Sequence, residues 1–173
     1  EVNPWCDSSG NWMGAVTWVS KVCESSIGIP SYGQAERSSA TKQLLADDSA
    51  DALVTDPPYY DAVPYAHLSD YFYVWVRRSI GKLYPDLFAG TQVAKEAEIV
   101  VDRPHELSNS THDIIYYERQ LAAAFADSRR VLRPDGISAI VFASKTTASW
   151  EAILRAVVDA GWIITGSWPI DTE

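Results

Sequence analysis

Asp56, Pro57, Pro58 and Tyr59 put a carboxylate, two imino acids and a phenol ring in four successive positions. An ionised Asp only accepts hydrogen bonds, and a backbone carbonyl does the same. Two acceptors side by side match the two hydrogens of an –NH2 group. An aryl amine is a poor nucleophile because its lone pair is spread into the ring. Pulling on both hydrogens favours a pyramidal nitrogen whose lone pair points at an electrophile, and alignment of the reacting pair then lowers the barrier. The Tyr59 ring offers a face for the base that carries such an amine, worth ~1–3 kcal/mol per stacked base. The two prolines supply stiffness. They lack N–H groups and fix φ near about −65°, and the residue before each is pushed to an extended conformation. Asp-Pro-Pro alone is also an ordinary strand-ending turn. The ring that follows and the apolar strand that precedes add the chemical reading.

That strand is "ADALVT", residues 50–55, read from its length, β-branching and flanks. In open α/β sheets ligands bind outside the carboxyl ends of the strands, and Asp56 stands at that end. Tyr60, Asp61 and Tyr65 lie in the loop just after the motif, where they line a base pocket or pack on the domain. A helix is expected over 68–80, with Ser69 as N-cap and Gly81 past its end. Its Tyr71, Phe72, Tyr73 and Trp75 read mainly as core. Residues 82–111 are irregular and polar, a length of connection that is usually functional or mobile.

A helix over 113–132 carries Ile114, Tyr117, Leu121, Phe125, Ser128 and Leu132 on one stripe. "RPDG" turns the chain, and "ISAIVFAS", 137–144, reads as a strand buried on both faces. Thr146 or Thr147 caps the next helix, with Trp150, Ile153, Leu154, Val157 and Val158 on its apolar stripe. Gly161 ends that helix, and "WIITGSW" is the last expected strand. Upstream, 13–24 reads as a helix with Met13, Val16 and Val19 on a loose stripe; 34–46 is ambiguous, with a short strand followed by a loop as its reading. The alternation argues an α/β fold with a largely parallel sheet and right-handed crossovers.

The four-residue box resembles motif IV of S-adenosylmethionine-dependent amino-methyltransferases, (Asp/Asn/Ser)-Pro-Pro-(Tyr/Phe/Trp). Asp in first place looks like the enzymes that methylate the exocyclic amine of adenine. "RRVLRPDGISAIVFAS" and "AGWIITGSWPI" resemble the helix–turn–strand and the helix end with its strand that follow motif IV in class I enzymes. With "NPWCDSSGNWMGAV" and "DPPYYDAVPYAHLSDYFYVWVRR", the match is closest to large adenine-specific DNA methylases that carry a zinc-ribbon elsewhere, and it covers nearly the whole chain.

The resemblance implies a partial class I methyltransferase domain over 1–173, a Rossmann-like sheet with flanking helices, truncated at both ends. Asp56 and the Pro57 carbonyl would accept from the target amine, and Tyr59 would stack on a flipped adenine. Ser39 and Ala40 fall where the family has a Gly-Asp-Ala-type loop on the cofactor's adenine, with Ser in place of Asp, and Asp56 would border the cofactor as well. The cofactor would be S-adenosyl-L-methionine. Its Gly-rich loop is expected upstream of residue 1, since "LFAGT" at 87–91 has no strand leading into it. The alternatives are a non-catalytic module that keeps the fold, or an amino-methyltransferase acting on RNA or protein.

The formal net charge of −9 over 173 residues argues against a self-sufficient nucleic-acid surface. DNA would then be held by other domains of the parent protein. The Arg77–Arg78 and Arg129–Arg130 pairs are candidate phosphate contacts or solvated helix faces. His67, His105 and His112 are scattered, and Cys6 and Cys23 form no metal-ligand pattern, so no metal site is expected. Sparse cysteine, no signal peptide and no apolar run of ~20 residues indicate a cytoplasmic protein off the membrane. The first residue is not Met and the last lies at the close of an expected strand, so both ends read as interior to a longer protein.

Overall fold

The computed structural model describes residues 5–28, 31, 33–60, 63–101 and 112–170. The chain divides into two compact units, Glu1–Arg37 and Ser38–Glu173. The first is built on α1, Trp12–Ser25, capped by the Asn11 side chain on the Gly14 amide and with no buried residue. Its expected stripe of Met13, Val16 and Val19 is exposed.

Among the described residues the second unit holds β1 (Ala50–Thr55), α2 (Tyr65–Ile80), α3 (Ile114–Val131), β2 (Leu132–Ile140) and α4 (Thr147–Asp159). The two strands pair in parallel, with Ala52, Leu53, Val54 and Thr55 opposite Ile137, Ser138, Ala139 and Ile140. The molecule is therefore α/β with a parallel sheet of two strands among the described residues. "RPDG" does break the ladder, but inside a strand. Ala50 pairs with Leu132 and Ala52 with Ile137, so residues 133–136 bulge out opposite Asp51 alone. Pro134 cannot donate to a ladder, and a Cβ on Gly136 would stand 2.6 Å from the Leu132 Cγ. The bulge thus fits where a turn was expected.

The core lies between α3 and α4. Tyr117, Leu121 and Phe125, one helical turn apart, meet Ala152, Ile153, Ala156 and Val157. The buried face of α4 is rotated from the expected stripe: Trp150, Leu154 and Val158 are exposed, and Ala152 and Ala156 take their place. Small residues let two helices approach closely, a role their modest hydrophobicity does not announce. Thr146 caps α4 as expected, its hydroxyl accepting from the Ser149 amide.

Other expectations are overturned. β2 is not buried on both faces: its residues alternate, with Ile137 74% exposed. Among the described residues α3 packs on β2, while Ile137 and Ala139, two apart and so on one face, are exposed. Residues 162–168 form no strand, because neither strand edge takes them up; Ile163 and Trp168 are exposed. Tyr71, Phe72 and Trp75 of α2 are exposed rather than core. Only Tyr73 is half-buried, its hydroxyl donating to the Gly90 carbonyl at 2.9 Å. α2 also begins at Tyr65, after Pro64, and Ser69 lies inside it.

No helix among the described residues is long and apolar enough to cross a membrane.

Candidate functional site

β1 and β2 stay paired to their carboxyl ends, where the Val141 amide donates to the Thr55 carbonyl at 2.9 Å. The next residue is Asp56. It is exposed, while Pro57 directly after it is buried and Pro58, Tyr59 and Tyr60 are half-buried. The carboxylate therefore projects from a turn whose backbone is sunk into the domain. Asp56, Pro57, Pro58, Tyr59 and Tyr65 line one depression of about 350 Å³, at the small end of ligand-pocket sizes. Tyr65 reaches it as the first residue of α2.

Two aromatic groups hold this turn. The Tyr59 ring stands edge-on to Phe142 at 5.2 Å, and Phe142 stands edge-on to Trp150 at 5.0 Å. The Trp150 indole donates to the Ser144 carbonyl at 3.1 Å, fixing the outer member of that row. On the other side the Tyr117 hydroxyl, from the floor of the core, donates to the Pro58 carbonyl at 2.8 Å. The same oxygen accepts from the Tyr60 amide at 3.3 Å. Tyr60 has φ +26°, a left-handed conformation that costs a non-glycine residue ~1–3 kcal/mol. It is held there by its amide, by its carbonyl, which accepts from the Val101 amide at 2.9 Å, and by its ring, edge-on to Tyr117 at 5.4 Å.

The pKa of Tyr59 lies above the ordinary phenol value. A hydrogen bond to the Asp56 carboxylate is the main cause, with partial burial and repulsion from the Asp56 charge added. The Tyr59 phenol thus stays neutral beside the Asp56 carboxylate. Tyr117 is raised too, chiefly by burial. Among the described residues the Pro57 carbonyl receives no hydrogen bond. An exposed carboxylate and the residue whose carbonyl is unbonded thus adjoin a shallow, ring-walled depression.

No family model, no curated protein and no solved structure matches this chain. The site is consequently read on its own chemistry.

Of the residues singled out in the sequence, Asp56, Pro57, Pro58, Tyr59 and Tyr65 come together here. Tyr60 serves the turn from below, against Tyr117. Asp61 lies outside the described residues, as does His105. Ser39 and Ala40 do not line the depression. They belong to a turn closed by a Ser39–Lys42 bridge, and the Gln43 amide just beyond donates to Asp127, near the carboxyl end of α3. Asp48 and Ser49 are tied to the Arg130 and Val131 carbonyls where β2 begins, the opposite end of the strands from Asp56.

Arg130 is not placed for a phosphate: its guanidinium bonds Asp127, Asp47 and the Gln43 and Leu45 carbonyls. Arg77 and Arg78 remain on the surface, Arg78 over the Trp75 ring at 5.6 Å. Among the described residues no three His, Cys, Asp or Glu side chains group as metal ligands.

Tyr117, Phe142 and Glu98 support the site and were missed as such. Tyr117 was legible only as one ring on an apolar stripe. Glu98 accepts from the Ala66 amide at 3.0 Å, so it fixes the turn of α2 that carries Tyr65. Nothing in its sequence neighbourhood signals that.

Proposed function

We propose that this chain supplies the amine-acceptor half of an S-adenosylmethionine-dependent amino-methyltransferase with a Rossmann-like sheet, acting on the exocyclic amine of an adenine in DNA. One observation carries the reading: the exposed Asp56 and the Pro57 that follows it line a depression shared with Tyr59 and Tyr65 at the carboxyl ends of two parallel strands. In this role Asp56 accepts one amine hydrogen and the Pro57 carbonyl the other. The amine displaces the Tyr59 hydroxyl from Asp56. The Tyr59 ring, held by Phe142, then stacks on the base. An adenine stacked inside a duplex has neither its ring face nor its amine free for these contacts, so it enters flipped out of the stack. Asp in place of Asn at position 56 favours a nucleobase over a glutamine amide.

The methyl donor itself finds no cradle among the described residues. Ser39 and Ala40 stand away from the depression, and no Gly-rich loop borders Asp56. No step through the cofactor is therefore derived. That same observation favours a second reading, a module that keeps the fold without binding the cofactor.

Titration calorimetry with S-adenosylmethionine separates the two. Binding followed by labelled-methyl transfer to adenine in DNA by the full-length protein supports the first reading. Asp56→Ala is expected to lower that transfer by ~10²–10³-fold, the scale of losing one preorganised electrostatic contact to the reacting group, while the circular dichroism spectrum persists. Undiminished transfer by the variant overturns the assignment of Asp56. Absence of cofactor binding by the full-length protein selects the second reading.

A further inference from the structure

We propose that Tyr117 is a positioning residue for the Asp56–Tyr60 turn, its hydroxyl setting which proline carbonyl is left to receive a ligand. The proposal rests on the acceptor reading given above. Tyr117 is fully buried, at 0% exposure, among Leu121, Phe125, Ile153 and Val157. A Phe would fill that space equally well, so packing does not account for the hydroxyl. A buried hydroxyl is costly unless bonded, and its partners among the described residues are the Pro58 carbonyl and the Tyr60 amide. Those are the residues immediately before and after Tyr59. One oxygen thus clamps the backbone on both sides of the ring proposed to stack on the base.

The clamp also divides the two carbonyls. Pro58 is occupied by the Tyr117 donor and turned into the domain, whereas Pro57, beside Asp56, carries no such bond. Without the hydroxyl the Pro58 carbonyl and the Tyr60 amide would both lose this partner, and the turn would be held less firmly, by the Val101 bond and the ring contacts. The left-handed backbone of Tyr60 adds a reason for it to loosen. Burial holds the Tyr117 phenol neutral, so it keeps both its donor and its acceptor role at ordinary pH.

Tyr117→Phe is the test, because the ring that fills the core is retained. Phe125→Leu is the control, perturbing the same core without touching the clamp. The first measurement is amide hydrogen exchange on the protein without substrate. Tyr117→Phe is expected to speed exchange at Tyr60 and Val101 by at least ~10-fold relative to the α3 and α4 amides, and Phe125→Leu is not. Equal protection at Tyr60 in Tyr117→Phe and wild type would sink the proposal. The second is methyl transfer by the full-length protein. A fall in kcat of ~10–100-fold with the KM for the methyl donor unchanged supports it. An unchanged kcat, or the same loss in Phe125→Leu, overturns it. If wild type transfers nothing, the acceptor reading fails, yet the exchange measurement still decides whether Tyr117 sets the turn.

Discussion

In the proposed reading Asp56 and Tyr59 would divide the work of recognising a base between hydrogen bonding and stacking, and the two roles can be separated at Tyr59. Its hydroxyl has a pKa raised by the neighbouring Asp56 carboxylate, and its ring is edge-on to Phe142. If the ring is what the base meets, the hydroxyl is only a placeholder for the amine. Tyr59→Phe is then expected to keep adenine binding near the wild-type level, since it removes a competitor for Asp56 and leaves the face. Tyr59→Ala is expected to weaken binding by ~5–150-fold, the equivalent of ~1–3 kcal/mol of stacking. Fluorescence titration with a short adenine-containing single strand reads both. A Phe variant as weak as the Ala variant would show that the hydroxyl, not the ring, makes the contact. At this scale the sequence was informative: Asp at a strand end before two prolines leaves few conformations, and the carboxylate is exposed where that reasoning put it. Tyr117 was not legible as part of the site, because its partners lie nearly sixty positions away along the chain.

The elements divide by whether their ends carry their own signals. α3 and α4 begin at Asp113 and Thr146, whose side chains accept from the Tyr116 and Ser149 amides, and both were readable within a residue or two. α4 closes at Gly161, φ +80°, with the Trp162 amide donating back to the Val157 carbonyl, a left-handed termination that glycine favours. α2 begins without a capping side chain of its own. Its Ala66 amide is met by Glu98, and Asp70 is met by the Val93 amide at 2.8 Å and Lys95 at 2.7 Å. The irregular stretch after α2 therefore runs back along it as a brace, ending where Val101 bonds Tyr60. Sequence reading placed the start of α2 three residues late because the cap comes from that brace. Residues 162–168 were misread for the converse reason: their composition suits a strand, but a strand also needs a partner edge. The brace is open to test. Glu98→Ala is expected to cost ~0.5–2 kcal/mol, as for removal of an N-terminal capping acceptor, with faster exchange at the Ala66 amide. Glu98→Gln, which keeps an acceptor oxygen, is expected to stay close to wild type. No change at Ala66 in Glu98→Ala would remove the brace from the account of the site.

At the scale of the whole molecule, Asp70 and Asp127 are depressed carboxylates that tie separate segments to the helices, and acid is the natural probe of both. Asp70 is lowered first by its hydrogen bond from Lys95 and then by the Val93 amide; it holds the brace. Asp127 is lowered chiefly by Arg130, with the Gln43 amide adding to it; it holds the segment leading into β1. Side-chain exposures of 27% and 13% leave both partly screened. Because each folded pKa lies below the unfolded value, the unfolded chain binds more protons in acid. Their stabilisation is complete above the ordinary Asp range, near ~3.9, and is lost as pH falls through the folded values. The net charge of −9 acts in the opposite sense, since acidification relieves self-repulsion, but that diffuse term is screened at ~0.15 M salt whereas contacts under 3 Å are screened far less. Urea midpoints at that salt are therefore expected to be level between pH ~7 and ~5 and to fall below pH ~4. In Asp127→Asn the neutral-pH midpoint should drop and the acid limb should flatten, because one of the two titrating anchors is gone. An acid limb as steep in that variant as in wild type would mean that the Asp127–Arg130 tie contributes nothing to the pH dependence, and that the segment entering β1, and with it the register that sets Asp56 at the strand end, is held by the remaining Arg130 bonds to Asp47, Gln43 and Leu45 and by backbone pairing.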